Sequence, residues 1–130
     1  MLNIDLHSHS SCSDGTLTPE QVVARASERG CKVLALTDHD VLLGLPAARK
    51  AAIEHGIHFV DGVEVSVSWD GLTIHVVGLN FDPDNAELQQ GLASVRSGRM
   101  RRAEAMAADL LRAGIADSLP GALAFASNKD

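Results

Sequence analysis

Val33-Leu34-Ala35-Leu36 is an uninterrupted apolar run between two segments that carry helix signals, and it constrains the fold more than any other stretch. Four consecutive apolar residues leave no solvated face. The run therefore reads as a strand buried on both sides, as in a parallel sheet covered by helices. Upstream, Leu2-Asn3-Ile4-Asp5-Leu6 alternates with period two and leads into His7-Ser8-His9 and the loop Ser10-Ser11-Cys12-Ser13-Asp14-Gly15. A helix start follows, with Thr18 as N-cap, Pro19 at the first helical position, Gln21 completing a capping box and Leu17 able to staple onto Val22. Gly30 ends that helix. A second helix from Leu45 or Pro46 to His55 closes at Gly56, and Ile57 to Val60 begins a third strand leading to Asp61-Gly62-Val63-Glu64. Strand, helix, strand, helix, strand implies right-handed βαβ units and an α/β fold.

Val65, Val67 and Trp69 then alternate with polar residues up to Asp70-Gly71, a hairpin turn from which Leu72 to Leu79 returns as a strand carrying His75. Asp82-Pro83-Asp84 breaks the pattern. From about Asn85 to Arg112 the apolar spacing is helical, although Gly91 and Gly98 weaken the middle; Gly114 stops it, and Leu119 to Phe125 reads as a further short helix. The chain divides accordingly into residues 1–81, which carry the strands and their motifs, and 82–130, a helical segment.

With 130 residues, 45% of them hydrophobic, the chain is excluded from the disordered class, and no apolar run approaches the ~18 residues that span a bilayer. A net charge of −6 disfavours binding to duplex DNA or an anionic membrane, and one Trp with three Phe and no Tyr offers little platform for stacking bases. Any nucleotide is held through its phosphates. Cys12 and Cys31 form no C-x-x-C and follow no secretory pattern, which points to a reducing cytoplasm; Cys12 has no assignable partner base and reads as a loop residue.

The chemistry lies in position. His7 and His9, Asp14, His39 with Asp40, Glu64, and His75 each fall at or just after the carboxyl end of an expected strand, where α/β proteins build their sites. Residues i and i+2 of a strand face the same way about 6.6 Å apart, so His7 and His9 can aim two imidazoles at one cation. Asp5 shares their parity and could orient an imidazole N–H, as could Asp40. The set is nitrogen and carboxylate oxygen without thiolate, and six candidate ligands exceed the four of one closed site, which suggests more than one metal. Such a cluster activates a bound water and clamps the oxygens of an in-line displacement at phosphorus, so that the nucleophile is metal-bound hydroxide and no other catalytic group is required. Taken singly, each motif has a bland reading: His-x-His on an exposed strand, Thr37-Asp38-His39-Asp40 as a capping turn, Glu64 as a hairpin residue. Their common placement at one rim favours the cluster. His55 and His58 lack such company and read as ordinary surface or core histidines, and Asp70 as a turn former.

Arg96, Arg99, Arg101 and Arg102 form the second constellation. Arg96, Arg99 and Arg102, spaced by three, lie on neighbouring helix faces, where guanidinium forks could clamp a phosphate that is not being cleaved. The competing reading is a solvated basic face paired with Glu104 or Asp109. Arg101 points away from the stripe.

His7-x-His9 with Ser-Asp14-Gly, Thr37-Asp38-His39-Asp40, Glu64 and His75 together resemble the polymerase and histidinol phosphatase (PHP) family over roughly the first 80 residues. The resemblance implies a distorted (β/α)7 barrel, of which the amino-terminal half is present, with a helical insertion and up to three divalent ions, Mn²⁺, Zn²⁺ or Fe²⁺. It implies that His7 and His9 bind the first metal, that Glu64 bridges the first and second, that His75 binds the second, and that Asp14 and His39 bind the third. The short Asp-Gly loop and the arginine-rich helix most resemble bacterial phosphatases that remove the 3′-phosphate of nucleoside 3′,5′-bisphosphates to give the 5′-monophosphate and phosphate. Arg99 and Arg102, and less directly Arg96, would hold the retained phosphate. A 5′→3′ exoribonuclease of the same family acting on short RNA is the neighbouring expectation, and a non-catalytic metal-stabilised interaction module the alternative of another class. The family's later ligands include a His and an Asp-x-His, whereas no histidine follows His75. The sequence is thus expected to be the amino-terminal part of a longer chain, ending just past Asn128-Lys129-Asp130.

Overall fold

The computed structural model describes residues 2–126, so the Asn128-Lys129-Asp130 end lies outside the described residues. The order is β1 (Ile4–Asp5), α1 (Pro19–Glu28), β2 (Val33–Leu36), α2 (Leu45–His55), β3 (His58–Trp69), β4 (Leu72–Leu79), α3 (Ala86–Arg112) and α4 (Ser118–Phe125). The strands form one sheet in sequence order; β1, β2 and β3 run parallel and β4 is antiparallel to β3. The described residues thus contribute four strands of an α/β sheet, not a closed barrel of seven.

The apolar run behaves as its composition requires. Leu34, Ala35 and Leu36 are at most 1% exposed, with Leu34 and Leu36 packed among Val23 of α1 and Leu45, Ala48, Ala51 and Ala52 of α2. Three alanines on the buried face of α2 keep side-chain bulk from separating the two helices. The helix signals hold: Thr18 Oγ1 accepts from the Gln21 N–H and Gln21 Oε1 from the Thr18 N–H, at 3.3 and 2.9 Å. Asp70 and Gly71, at φ 48° and 78°, make the turn between β3 and β4.

One element differs from expectation. Asp61-Gly62 does not end a strand; β3 runs unbroken for 12 residues, pairing with β2 through Asp61 and with β4 from Gly62 onward. Gly62 permits this because a Cβ there would meet the Leu36 carbonyl oxygen at 2.7 Å. A residue that reads as a breaker in sequence is needed here for close approach.

α3 is continuous for 27 residues despite Gly91 and Gly98, with Asn85 capping it through a side-chain bond to the Leu88 N–H. Among its side chains only Leu92 is buried, and α4 buries none. No described helix is long and apolar enough to cross a membrane.

Candidate metal centre

Register places the site. β2 and β3 pair with a constant offset, Val33 to His58 and Leu36 to Asp61, and the same offset continues beyond β2 as an isolated parallel bridge between His39 and Glu64. On the other side of β2 the His7–His9 segment follows the end of the strand: the Thr37 N–H donates to the Ser8 carbonyl and Ser8 Oγ to the Ala35 carbonyl. Across the hairpin, Ser66 faces His75 and Glu64 faces Val77, so Glu64 and His75 are diagonal neighbours on one sheet face. Three chain segments and a hairpin thereby deliver six side chains to one rim.

Glu64 is at the centre and buried, its side chain 8% exposed. Oε2 lies 2.7 Å from His7 Nε2, 3.0 Å from His9 Nε2 and 3.8 Å from His39 Nε2, while Oε1 lies 3.3 Å from His75 Nδ1. Asp14, on an exposed loop, sets Oδ1 3.3 Å from His9 Nδ1 and Oδ2 3.6 Å from His39 Nε2. The four imidazoles follow one another with ring centroids 5.1, 4.7 and 5.0 Å apart. Burial pushes the Glu64 carboxyl up, but the hydrogen bond to His7 and the charges of His39, His7 and His9 outweigh it and hold the group below the usual glutamate range.

These donors fit cations. Three triads, His7 with His9 and Glu64, His9 with Asp14 and His39, and His39 with Glu64 and His75, each keep their ligand atoms within 4.8 Å of one another. Donors around one four-coordinate ion at about 2.0–2.2 Å stand roughly 3.3–3.5 Å apart, close to most of these separations. The Nδ1 atom of His9 is buried without a hydrogen bond although Asp14 Oδ1 lies 3.3 Å away, as a ring nitrogen open to another ligand would be; the unbonded Nδ1 of His39 is the nitrogen opposite the one that faces Asp14 and Glu64. A bidentate carboxylate whose two oxygens face different imidazole sets is suited to joining two ions, and the mixed nitrogen and oxygen set suits Mn²⁺, Zn²⁺ or Fe²⁺ alike.

The loop carrying Asp14 is held by a residue that the sequence reading left without a role. Asp38 is buried, and its carboxylate accepts from the Ser10 N–H, Ser10 Oγ and Ser13 Oγ at 2.7, 2.7 and 2.6 Å. A carboxylate ending an apolar strand opposite a serine-rich loop is the signal that points to it. Gly15 closes the same loop, since a Cβ there would stand 2.6 Å from the His9 carbonyl oxygen.

Two orienting roles need correction. Asp5 is exposed and accepts from the His7 backbone N–H rather than from an imidazole, because a short side chain reaches the amide two residues on before it reaches a ring. Asp40 touches no imidazole: Oδ1 accepts from the Ser66 N–H at 2.7 Å, and its carboxylate pairs with Arg99. Arg99 also donates to Ser66 Oγ and Arg96 to the Asp40 carbonyl, at 2.9 and 2.7 Å. The arginine stripe therefore splits. Arg96 and Arg99 turn to the site, where with Asp14 and His39 they line a cavity of about 140 Å³. Arg102 and Arg101 stay exposed, and Asp109 pairs with Arg112 instead. A larger cavity of about 930 Å³ opens between Leu42–Pro46 and α3, and Arg96 alone of the site residues borders it. His55 and His58 are exposed and join no cluster of possible ligands among the described residues.

The PHP domain model matches residues 5–113. The 3′,5′-nucleoside bisphosphate phosphatase of Chromobacterium violaceum is 52% identical over 130 residues, covering 100% of this chain and 46% of that protein. A 5′-3′ exoribonuclease of Haemophilus influenzae is 44% identical over 125 residues, covering 96% of this chain and 46% of the relative. Among solved structures, a protein from Bifidobacterium adolescentis classed as a metal-dependent phosphoesterase superposes with a TM-score of 0.74 at 25% identity, covering 98% of this chain and 56% of the other. The chain spans about half the length of the curated relatives it matches.

Proposed function

The chain belongs to the PHP family, and from that premise we propose that it acts as a metal-dependent phosphoesterase that removes the 3′-phosphate of nucleoside 3′,5′-bisphosphates, yielding the 5′-monophosphate and phosphate. The observation that carries this reading is the division of Glu64, with Oε2 toward His7 and His9 and Oε1 toward His75, beside a cavity into which Arg96 and Arg99 face.

His7 and His9 with Glu64 would hold a first divalent ion, Glu64 with His75 a second, and Asp14 with His39 a third; the proximity of His39 to Glu64 and of His9 to Asp14 supports a shared cluster. Bound Mn²⁺, Zn²⁺ or Fe²⁺ would supply an activated water and positive charge at the phosphorus. The chain's own part is to orient: the buried Glu64 fixes the imidazoles, Asp38 fixes the loop bearing Asp14, and Arg99 with Arg96 grips the phosphate that is retained, Arg102 lying outside the cavity they line. We further propose the division into a barrel portion, residues 1–81, and a helical insertion, 82–130. The substrate is then a small cytoplasmic nucleotide.

A second reading is favoured by the Haemophilus relative: 5′→3′ hydrolysis of short RNA, with the same arginines on a terminal 5′-phosphate. Product analysis separates them. Phosphate release from adenosine 3′,5′-bisphosphate without shortening of a 5′-phosphorylated oligoribonucleotide supports the phosphatase, and stepwise release of mononucleotides supports the nuclease. A rise in melting temperature with Mn²⁺ and no hydrolysis of either would leave a metal-stabilised module. Turnover is expected to be higher in a chain extended by about 150 residues than in the 130-residue chain; equal activity would refute the need for further sequence.

A further inference from the structure

Asp40 is fully buried, directly follows His39, and holds the left-handed conformation at φ 57°, which Asp and Asn adopt more readily than other non-glycine residues. Its N–H, carbonyl and Oδ1 are hydrogen-bonded, while Oδ2 makes no hydrogen bond among the described residues and is met only by the Arg99 guanidinium as an ion pair. The N–H donates to the Glu64 carbonyl at 3.0 Å, Oδ1 accepts from the Ser66 N–H, the carboxylate pairs with Arg99, and the carbonyl accepts from Arg96. One residue thus ties the end of β2, the middle of β3 and helix α3 together.

We propose that Asp40 is the positioning residue of an anion grip: its carboxylate and carbonyl anchor the Arg99 and Arg96 guanidinium groups so that their remaining donors face the cavity beside His39. This rests on the reading that those arginines hold a substrate phosphate. The argument is one of charge and geometry. A buried carboxylate left without a partner costs several kcal/mol, so Arg99 is bound to its place whether or not an anion is present. A guanidinium carries five N–H donors, and in Arg99 the ion pair with Asp40 and the hydrogen bond to Ser66 both use Nη2, which leaves Nη1 and Nε for a ligand. Helix α3 buries only Leu92, so packing alone does little to fix Arg96 and Arg99, which lie one and two turns beyond it. A fork held in advance loses less conformational freedom when phosphate arrives.

The test is a double-mutant cycle on adenosine 3′,5′-bisphosphate. Asn adopts the left-handed conformation at least as readily as Asp, so Asp40→Asn keeps the fold and the Ser66 bond while removing the charge. KM is expected to rise about tenfold in Asp40→Asn with a smaller change in kcat, and Asp40→Asn is expected to add nothing in an Arg99→Ala background. Calorimetric binding of the same nucleotide to EDTA-treated protein is expected to weaken in parallel. If Arg99→Ala raises KM and Asp40→Asn does not, or if their effects simply add, Asp40 has no positioning role and the phosphate reading survives. If Arg99→Ala leaves KM unchanged, the phosphate reading falls and this proposal with it. Should Asp40→Asn fail to fold, Ser66→Ala removes only the hydroxyl contact to Arg99; a KM rise of about two- to threefold supports the anchor, and no change overturns it.

Discussion

The sheet portion, β1 to β4 with α1 and α2, and the helical arm, α3 with α4, are built on different physics. In the first, a packed cluster from Val23 to Ile57 fixes the strands, and the candidate ligands inherit their places from strand register. In the second, Leu92 is the only buried residue of α3, while Met106, Leu111 and Phe125 lie 65, 62 and 93% exposed. The arm meets the site largely through polar links, Arg96 and Arg99 to Asp40 and Ser66. Packing defines where cations could bind, and charge defines where an anion could.

That contrast can be broken in a definite order. Glu64→Gln should lower turnover by about three orders of magnitude while the arm keeps its helicity by circular dichroism, because it removes the one carboxylate shared by both imidazole sets. Leu36→Ala should cost about 2–5 kcal/mol in urea unfolding, whereas Leu111→Ala should stay within about 0.5 kcal/mol; equal losses would show that the arm packs as tightly as the sheet. Arg99→Ala should raise KM for a nucleoside bisphosphate about tenfold, with a smaller loss against p-nitrophenyl phosphate; matching losses would place Arg99 in the chemistry of the centre instead. The smallest effect is acid sensitivity of the metal-free protein. Glu64 is held below its ordinary value, so its share of stability is complete above about pH 4.3 and is lost as pH falls through the lower folded value. The melting-temperature advantage of wild type over Glu64→Gln should shrink in that window, and a constant gap would contradict the cause assigned.

Much of this was legible in the chain because local rules and global fold agree. The capping box at Thr18, the double-sided burial of Leu34–Leu36 and the Asp70-Gly71 turn each follow from a single residue pattern. His7, His9, His39, Glu64 and His75 converge as strand-end placement implied, and Asp14 joins them. What stayed hidden depends on close approach or on pairing between distant segments. Gly62 has the signature of a breaker unless the Leu36 carbonyl beside it is known, and Asp38 has none unless the serine loop opposite is known. Helical spacing aligned Arg102 with Arg99, but only tertiary contact reveals that Asp40 draws in Arg96 and Arg99 and leaves Arg102 outside.

Glu64 stands two residues past the point where β3 changes partners, flanked by the parallel bridge to His39 on one edge and by the antiparallel pairing to Val77 on the other. Neighbouring strands are rotated by roughly 20–25° relative to one another, and the carboxylate spans that rotation, Oε2 toward His7 and His9 and Oε1 toward His75. Torsion of the hairpin would then shift His75 and Glu64 Oε1 against the imidazoles that follow β1 and β2, so the spacing of the donors is partly a property of the sheet's own twist.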